Sequence, residues 1–453
     1  MDLSLTELIV VQDVEKLPSE KENVKTAEPS TECRILENLL KESLDSASLL
    51  AFKGKSLEGD SAQNLLAAVI AKKILKENNS SAITGGIYYR WAHKIKELFP
   101  GERTTSYYIP ACTTANGQVL QGRGKLVHQV LNQRRRLQNL GALPKGNGKR
   151  TREYSPTCSS VPSPRPLPGI FSCGEDNEEN IDDDLQWLEN SSDPWCLVED
   201  KWERTLKART RTLYDAGKES IEGYFEKYPA LKKPQGYSLI HKDFNAAHGI
   251  YKDNLFINFP LMKIKLQELL KKKKSTDPFL HDLVALTNSS NEENTNIAGF
   301  LTIPLLLNTA AVRQKKKRGS SASQSWKPSK VEVREGFIKH VKSSAEISQT
   351  IELRITALQK IGLPSQPYVI VVGESFEKID TFLVVANRSV MYERQSIMHA
   401  IDTCYKVTWA LNAEYSIDTY PVWYFIQKGI YKMSSEYDKG STAAESLLTD
   451  CNV

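Results

Sequence analysis

Apolar residues recur along most of this chain at three- and four-residue steps, which predicts a mainly α-helical protein. Leu36, Leu39, Leu40 and Leu44 fit a short helix between Cys33 and Phe52. Leu65, Leu66, Val69, Ile70 and Ile74 predict a helix from about Ser61 to Leu75. Thr84 is placed to cap a second one, in which Ile87, Trp91, Ile95 and Leu98 share a face before Phe99-Pro100-Gly101 stops it. A third runs from about Gly124 to Leu140, with Leu126, Val130, Leu137 and Leu140 on its buried side. Three such helices can close one small core.

Prolines 144, 156, 162, 164, 166 and 168 then mark an extended linker. Beyond it, Asp193-Pro194 reads as a cap with a first turn, and Trp195, Val198, Trp202, Leu206, Arg209 and Leu213 form one helical stripe. Further helices are expected at Ile221 to Tyr228 and Leu261 to Lys274, with a short mixed segment at Tyr237 to Phe244 and a polar loop at Asn288 to Asn296. The longest apolar run, Ala298 to Leu307, contains Pro304 and is too short to cross a bilayer, so no membrane partner is expected.

The last unit shows the clearest change of period. Phe337, Val341, Ile351, Ile355 and Leu358 predict one long helix over Val333 to Ile361, broken by Pro364 and Pro367. Tyr368 to Val372 reads as a buried strand, and Thr381 to Tyr392 as two strands about an Asn387-Arg388 turn. Ser396 caps a helix carrying Ile397, Ile401, Cys404 and Leu411, and Pro421 starts another through Met433. Trp423 and Phe425, two residues apart, do not align on one helix face, so one of them is expected to face a partner.

The expected fold is therefore mainly α with a small α+β C-terminal unit, an N-terminal three-helix module, and disordered tails and linkers. The expected segments are an acidic N-terminal stretch (1–60), the basic module (61–142) and a Pro-rich and acidic linker (143–184). A helical middle region (185–286), a loop with a flexible basic linker (287–330), an α+β domain (331–433) and a disordered tail (434–453) complete the chain.

Charge sharpens this picture because it is sorted. Ser61 to Ile170 carries 17 Lys/Arg against 4 Asp/Glu, while Glu175 to Asp200 carries 11 acids and no Lys or Arg. The whole chain is only +5. A basic helical module points to a polyanion, DNA or RNA, gripped through its phosphates. The residues expected to do this are Arg123, Lys125, Arg134, Arg135 and Arg136, with Lys149, Arg150 and Arg152 in the linker. Gln129, Asn132, Gln133 and Gln138 are placed to approach base edges. The acidic run Glu175 to Asp184 is either a spacer or a competitor that folds back on the module. Lys315, Lys316, Lys317 and Arg318 fit a nuclear-import signal. The seven scattered cysteines, never paired as C-x-x-C, and the acidic N-terminus fit an intracellular, nuclear protein.

Enzyme signals are weak. The seven histidines show no metal-binding spacing, and no catalytic residue, metal or cofactor is expected. His241, Asp243 and His248 are the nearest thing to a catalytic cluster, and Asp380, Glu393 and Asp402 are the candidates for a two-metal nuclease.

The segments PYVIVVG, FLVVANRSVMYE, SIMHAIDTCYKVTWALNAEY and VWYFIQKGIY resemble a family of animal proteins grouped as like the sterile-alpha-motif-containing protein 3. Asp402, Cys404, Tyr405, Lys406, Trp423, Phe425 and Gln427 carry the resemblance, which extends loosely over residues 61–433 and is strongest after Val331. It implies no activity, and the first helices lack the five-helix pattern of a sterile-alpha-motif domain. The expected function is a non-enzymatic nucleic-acid-associated or adaptor protein, whose C-terminal domain binds another protein or a second copy. A scaffold without nucleic-acid binding and a C-terminal nuclease are the alternatives.

Overall fold

The computed structural model describes residues 31–57, 59–78, 83–113, 119–143, 181–214, 221–273, 278–309, 312–313, 325–435 and 438–452. The described N-terminal part contains α1 (Thr31–Lys41), the short α2 (Leu44–Ala47), α3 (Gly59–Glu77), α4 (Gly85–Leu98), the single turn α5 (Thr104–Tyr107), the two-residue strands β1 (Cys112–Thr113) and β2 (Val119–Leu120), and α6 (Lys125–Asn139). The three helices expected from periodicity are α3, α4 and α6. The core they close is larger than expected, because Leu36, Leu39 and Leu40 of α1 and Leu49 and Leu57 join Leu66, Ile70, Ile74, Trp91, Ile95, Leu126 and Val130. The acidic stretch before Ser61 is thus part of this fold from α1 onward. Leu44 and Leu140 are exposed, against expectation.

A buried carboxylate organises the chain between α4 and α6. Glu102 accepts hydrogen bonds from the Leu57 N–H (2.7 Å), the Tyr107 hydroxyl (2.9 Å) and the Ser56 hydroxyl (3.1 Å). A buried carboxylate is stable only when so satisfied. Gly124 then turns the chain into α6 at φ +137°, where a Cβ would lie 2.2 Å from the Tyr107 carbonyl oxygen.

The larger body holds α7 (Ile181–Asn190), α8 (Trp195–Arg204), α9 (Leu206–Tyr214), α10 (Ile221–Lys227), α11 (Tyr237–His248), α12 (Asn254–Lys272), α13 (Pro278–Thr287) and α14 (Glu292–Leu306). The two-residue ladder β3 (Val312–Arg313) and β4 (Ser325–Trp326) follows, then α15 (Lys330–Phe337), β5 (Ile338–Val341), α16 (Ile347–Lys360), β6 (Tyr368–Ser375), β7 (Lys378–Val385) and β8 (Met391–Arg394). The chain closes with α17 (Ile397–Ala410), α18 (Tyr420–Phe425), which widens into a turn of i→i+5 type over Ile426–Ile430, and α19 (Thr442–Asp450). No described helix is long and apolar enough to cross a membrane.

Four strands form one sheet in the order β5-β6-β7-β8, parallel at β5-β6 and antiparallel thereafter. Tyr368, Ile370 and Val372 of β6 face Ile351 of α16, while Val369 and Val371 face the main core beneath α17. A strand covered on both faces explains the unbroken apolar run YVIVV. The Asn387-Arg388 turn is where it was expected, with the Asn387 side chain accepting from the Ser389 and Val390 N–H groups.

Several expectations are corrected. The long helix over Val333 to Ile361 is two helices with strand β5 between them. Tyr237 to Phe244 is helical as part of α11, and Ala298 to Leu307 belongs to α14, buried on all sides from Ile297 to Leu305. One core runs from Leu188 to Cys451, so the middle region and the α+β unit are not separate domains. The tail after Ser434 contains α19, packed against α5, α3 and α18. Trp423 and Phe425 are both buried, because α18 has core on every side.

Candidate nucleic-acid interface

The exposed side of α6 is a single stripe. His128, Asn132, Arg135, Arg136 and Asn139 are solvent-exposed at steps of four, three, one and three residues, which fall on one helical face. The opposite side buries Leu126 and Val130 against α3 and α4. Arg134, Gln129, Gln133 and Gln138 flank the stripe half-buried. Among the described residues, none of the three arginines has a carboxylate within ion-pair distance. Exposed Lys72 and Lys76 lie on α3, the helix against which α6 packs.

Two expected phosphate ligands are placed elsewhere. Lys125 is only 8% exposed, and its ammonium is paired with Asp60 at the start of α3. Its charge holds the first turns of α3 and α6 together. Arg123 is half-buried, and its guanidinium lies against Gly440 in the segment leading to α19. Lys125 is thus engaged within the fold, and Arg123 packs against the approach to α19. Lys149, Arg150, Arg152 and Lys315 to Arg318 lie outside the described residues.

Of the run Glu175 to Asp184, only the part from Ile181 is described, and there Asp184 is buried and paired with Lys201 and Arg204. It fastens α7 to α8. The acids that reach the basic module come from α19. Glu445 pairs with Arg103 at 3.1 Å and accepts from Thr105 at 3.0 Å and Tyr424 at 2.8 Å. The Ser446 hydroxyl donates to Gln63 Oε1 at 2.9 Å. Asp450 sits close to Glu102, Asp60 and Lys125; burial first, then the Glu102 charge, pushes its carboxyl up to about 7. Nothing in the local sequence links these acids to the module, because their contacts span more than 300 residues of chain.

The candidate enzyme residues do not assemble. Asp243 is held in a buried network with Arg209, whose Nη1 and Nη2 donate to its two oxygens at 2.8 and 3.0 Å, and with the Trp202 indole N–H at 2.9 Å. His241 contacts Thr403 at 3.1 Å, and burial lowers its pKa to about 3, so it is neutral. Asp402 is buried, accepts from the Tyr431 hydroxyl at 2.7 Å and pairs with Lys406 at 2.8 Å. Glu393 is exposed and pairs across the ladder with Leu383, which faces α16, so it points to the far side of the sheet from Asp402. Asp380 is exposed near the start of β7. Among the described residues no group of His, Cys, Asp and Glu could hold a metal ion.

One nucleophile-base contact escaped the sequence reading. Ser396 Oγ lies 2.8 Å from His399 Nδ1. The same hydroxyl caps α17 by accepting the His399 N–H, and the adjacent Ile397 N–H is taken by Glu293 at 2.6 Å. The hydroxyl thus serves as the N-cap of α17, and the contact is read as a helix cap.

The residues that carry the family resemblance are core residues. Tyr405 stacks on Tyr431 at 3.7 Å, Trp423 meets Phe337 edge-on at 5.1 Å, and Gln427 bridges the Tyr415 hydroxyl and Asp438. Cys404 is buried, which pushes its thiol up. No protein-family model, curated protein or solved structure matches the chain.

Proposed function

We propose that the protein is a non-enzymatic, nucleic-acid-associated protein that grips phosphates with the exposed face of α6. The observation that carries this reading is the stripe His128, Asn132, Arg135, Arg136 and Asn139, with Arg134 beside it and no acidic partner for the three arginines among the described residues. Arg204, Arg209, Arg354 and Arg388, by contrast, are held by carboxylates. Cations left in solvent on one helix face cost little in the folded monomer and are available to a polyanion. Exposed Lys72 and Lys76 on α3, the helix against which α6 packs, add to the positive charge of the module. A nuclear location goes with this reading, through Lys315 to Arg318.

The test uses the full chain, since the module shares its fold with α1 and its surface with α19. Fluorescent single- and double-stranded DNA and RNA are titrated at several salt concentrations. Binding should weaken steeply with salt, and changing Arg134, Arg135 and Arg136 together to Ala should reduce the slope by up to about 3, one per phosphate. The fold should stay within about 0.5 kcal/mol of its original stability, because Arg135 and Arg136 are exposed and Arg134 has no carboxylate partner. No binding at low salt, or a slope indifferent to the triple change, rejects the proposal and leaves the protein-scaffold reading.

A further inference from the structure

A row of exposed apolar side chains runs along α12. Its inner side buries Leu255, Phe259, Met262, Leu266 and Leu270 in the main core. Its outer side should then be polar, as on an ordinary surface helix. Instead Ile257, Leu261 and Ile264 are 65%, 69% and 52% exposed, with Phe256 and Pro260 alongside. An apolar row of this length on a monomer marks a binding surface.

The charges at the two ends of the row identify its occupant. Lys252 and Asp253 stand exposed at the N-terminal end, and Glu268, Lys271 and Lys272 at the C-terminal end. If a second α12 lies antiparallel across the first, with Leu261 on the two-fold axis, Asp253 of each copy meets the Lys271-Lys272 end of the other. Glu268 likewise meets Lys252. Apolar residues then face apolar residues between the two charged ends. Such a surface is complementary to itself, as a two-fold interface requires. A membrane surface fits less well, because helices that lie on anionic lipid carry basic residues at the rim, and here Asp253 and Glu268 stand among the lysines. We infer that the protein forms a two-fold dimer through the outer face of α12, by antiparallel packing centred on Leu261. The inference does not depend on phosphate binding by α6.

Sedimentation velocity of the full chain over about 1 to 100 μM should show a monomer–dimer equilibrium. Leu261→Glu should leave the fold intact by circular dichroism, since the side chain is exposed, and abolish the dimer. Asp253→Lys should weaken the dimer about tenfold, and adding Lys272→Asp should restore it. Leu261→Cys should form an intermolecular disulfide on mild oxidation, while Leu353→Cys, exposed on α16, should not. A chain monomeric throughout overturns the inference, as does a dimer indifferent to Leu261→Glu. A monomer that binds phosphatidylserine vesicles through this face also overturns it and assigns the surface to lipid.

Discussion

Arg209 and Arg135 belong to the same residue type in helices of one chain, and they are used in opposite ways. Arg209 is fully buried. Its guanidinium stacks on the Trp202 ring at 3.5 Å, donates to the Tyr224 hydroxyl at 2.8 Å and to the Trp202 carbonyl at 2.7 Å, and meets Asp243 with both terminal nitrogens. Arg135 is in solvent and has no acid beside it among the described residues. The large body uses this guanidinium to organise its interior, while the N-terminal module leaves Arg135 and Arg136 on its surface. The difference teaches that the positive balance of the module is not a statement about its fold. Its fold uses Lys125 with Asp60 and leaves the arginines of α6 without an acidic partner among the described residues.

The largest effect that would break this comparison lies in the body. Arg209→Ala removes the cation but leaves the Asp243 carboxyl buried with only the Trp202 N–H. Breaking a buried pair from one side costs about 3 to 5 kcal/mol. Urea unfolding should show a loss of this size, against no more than about 0.5 kcal/mol for Arg135→Ala. Equal effects would mean that the two arginines are not used differently. The junction between the two regions comes next. Glu445→Ala deletes the acceptor for Arg103, Thr105 and Tyr424, and leaves the Tyr424 hydroxyl without its carboxylate. The expected cost is about 2 to 3 kcal/mol. Hydrogen exchange should quicken first in α19 and α5, which would show that the loss is at the joint and not in either core.

The helices of the module were legible because each carries one clean apolar stripe: Leu66, Ile70 and Ile74 in α3, and Trp91, Ile95 and Leu98 in α4. Strand β5 was not. Its partner β6 begins 30 residues on, and Phe337 and Val341 are spaced like a helical turn, so local periodicity absorbed a strand defined by a distant parallel neighbour. Helix α19 was hidden for a similar reason. Its sequence TAAESLLTD is half polar, and its polar side chains find their partners in α3, the chain before α5, and α18. In the candidate site, Arg135 and Arg136 could be placed from spacing alone, since they lie opposite Leu126 and Val130. Lys125 could not, because whether a lysine at a helix start meets solvent or Asp60 depends on how two helices cross. The outer row of α12 was equally illegible, since the helix is apolar on both sides and sequence does not say which side is covered.

The smallest predicted effect sharpens the comparison at the joint, where the acid of one region meets the charges of the other. Asp450 of α19 faces Glu102 and Asp60, which oppose its ionisation, and Lys125 and the Gly59 N–H, which favour it; burial is the largest influence, and the carboxyl titrates at about 7. One of its oxygens has no hydrogen-bond partner. A carboxyl whose pKa is raised by folding binds its proton more tightly in the folded state. The stability it contributes is fully present below its ordinary value near 3.8 and is lost as pH rises, completely so above about 7. Asp450→Asn keeps the shape and cannot ionise. It should match the original protein at pH 4 and exceed it by about 1 to 2 kcal/mol at pH 8, a figure reduced for the solvent contact that the side chain retains. If the difference between Asp450→Asn and the original protein in thermal melts does not grow from pH 4 to 8, the α19 carboxylate is not strained against the basic module.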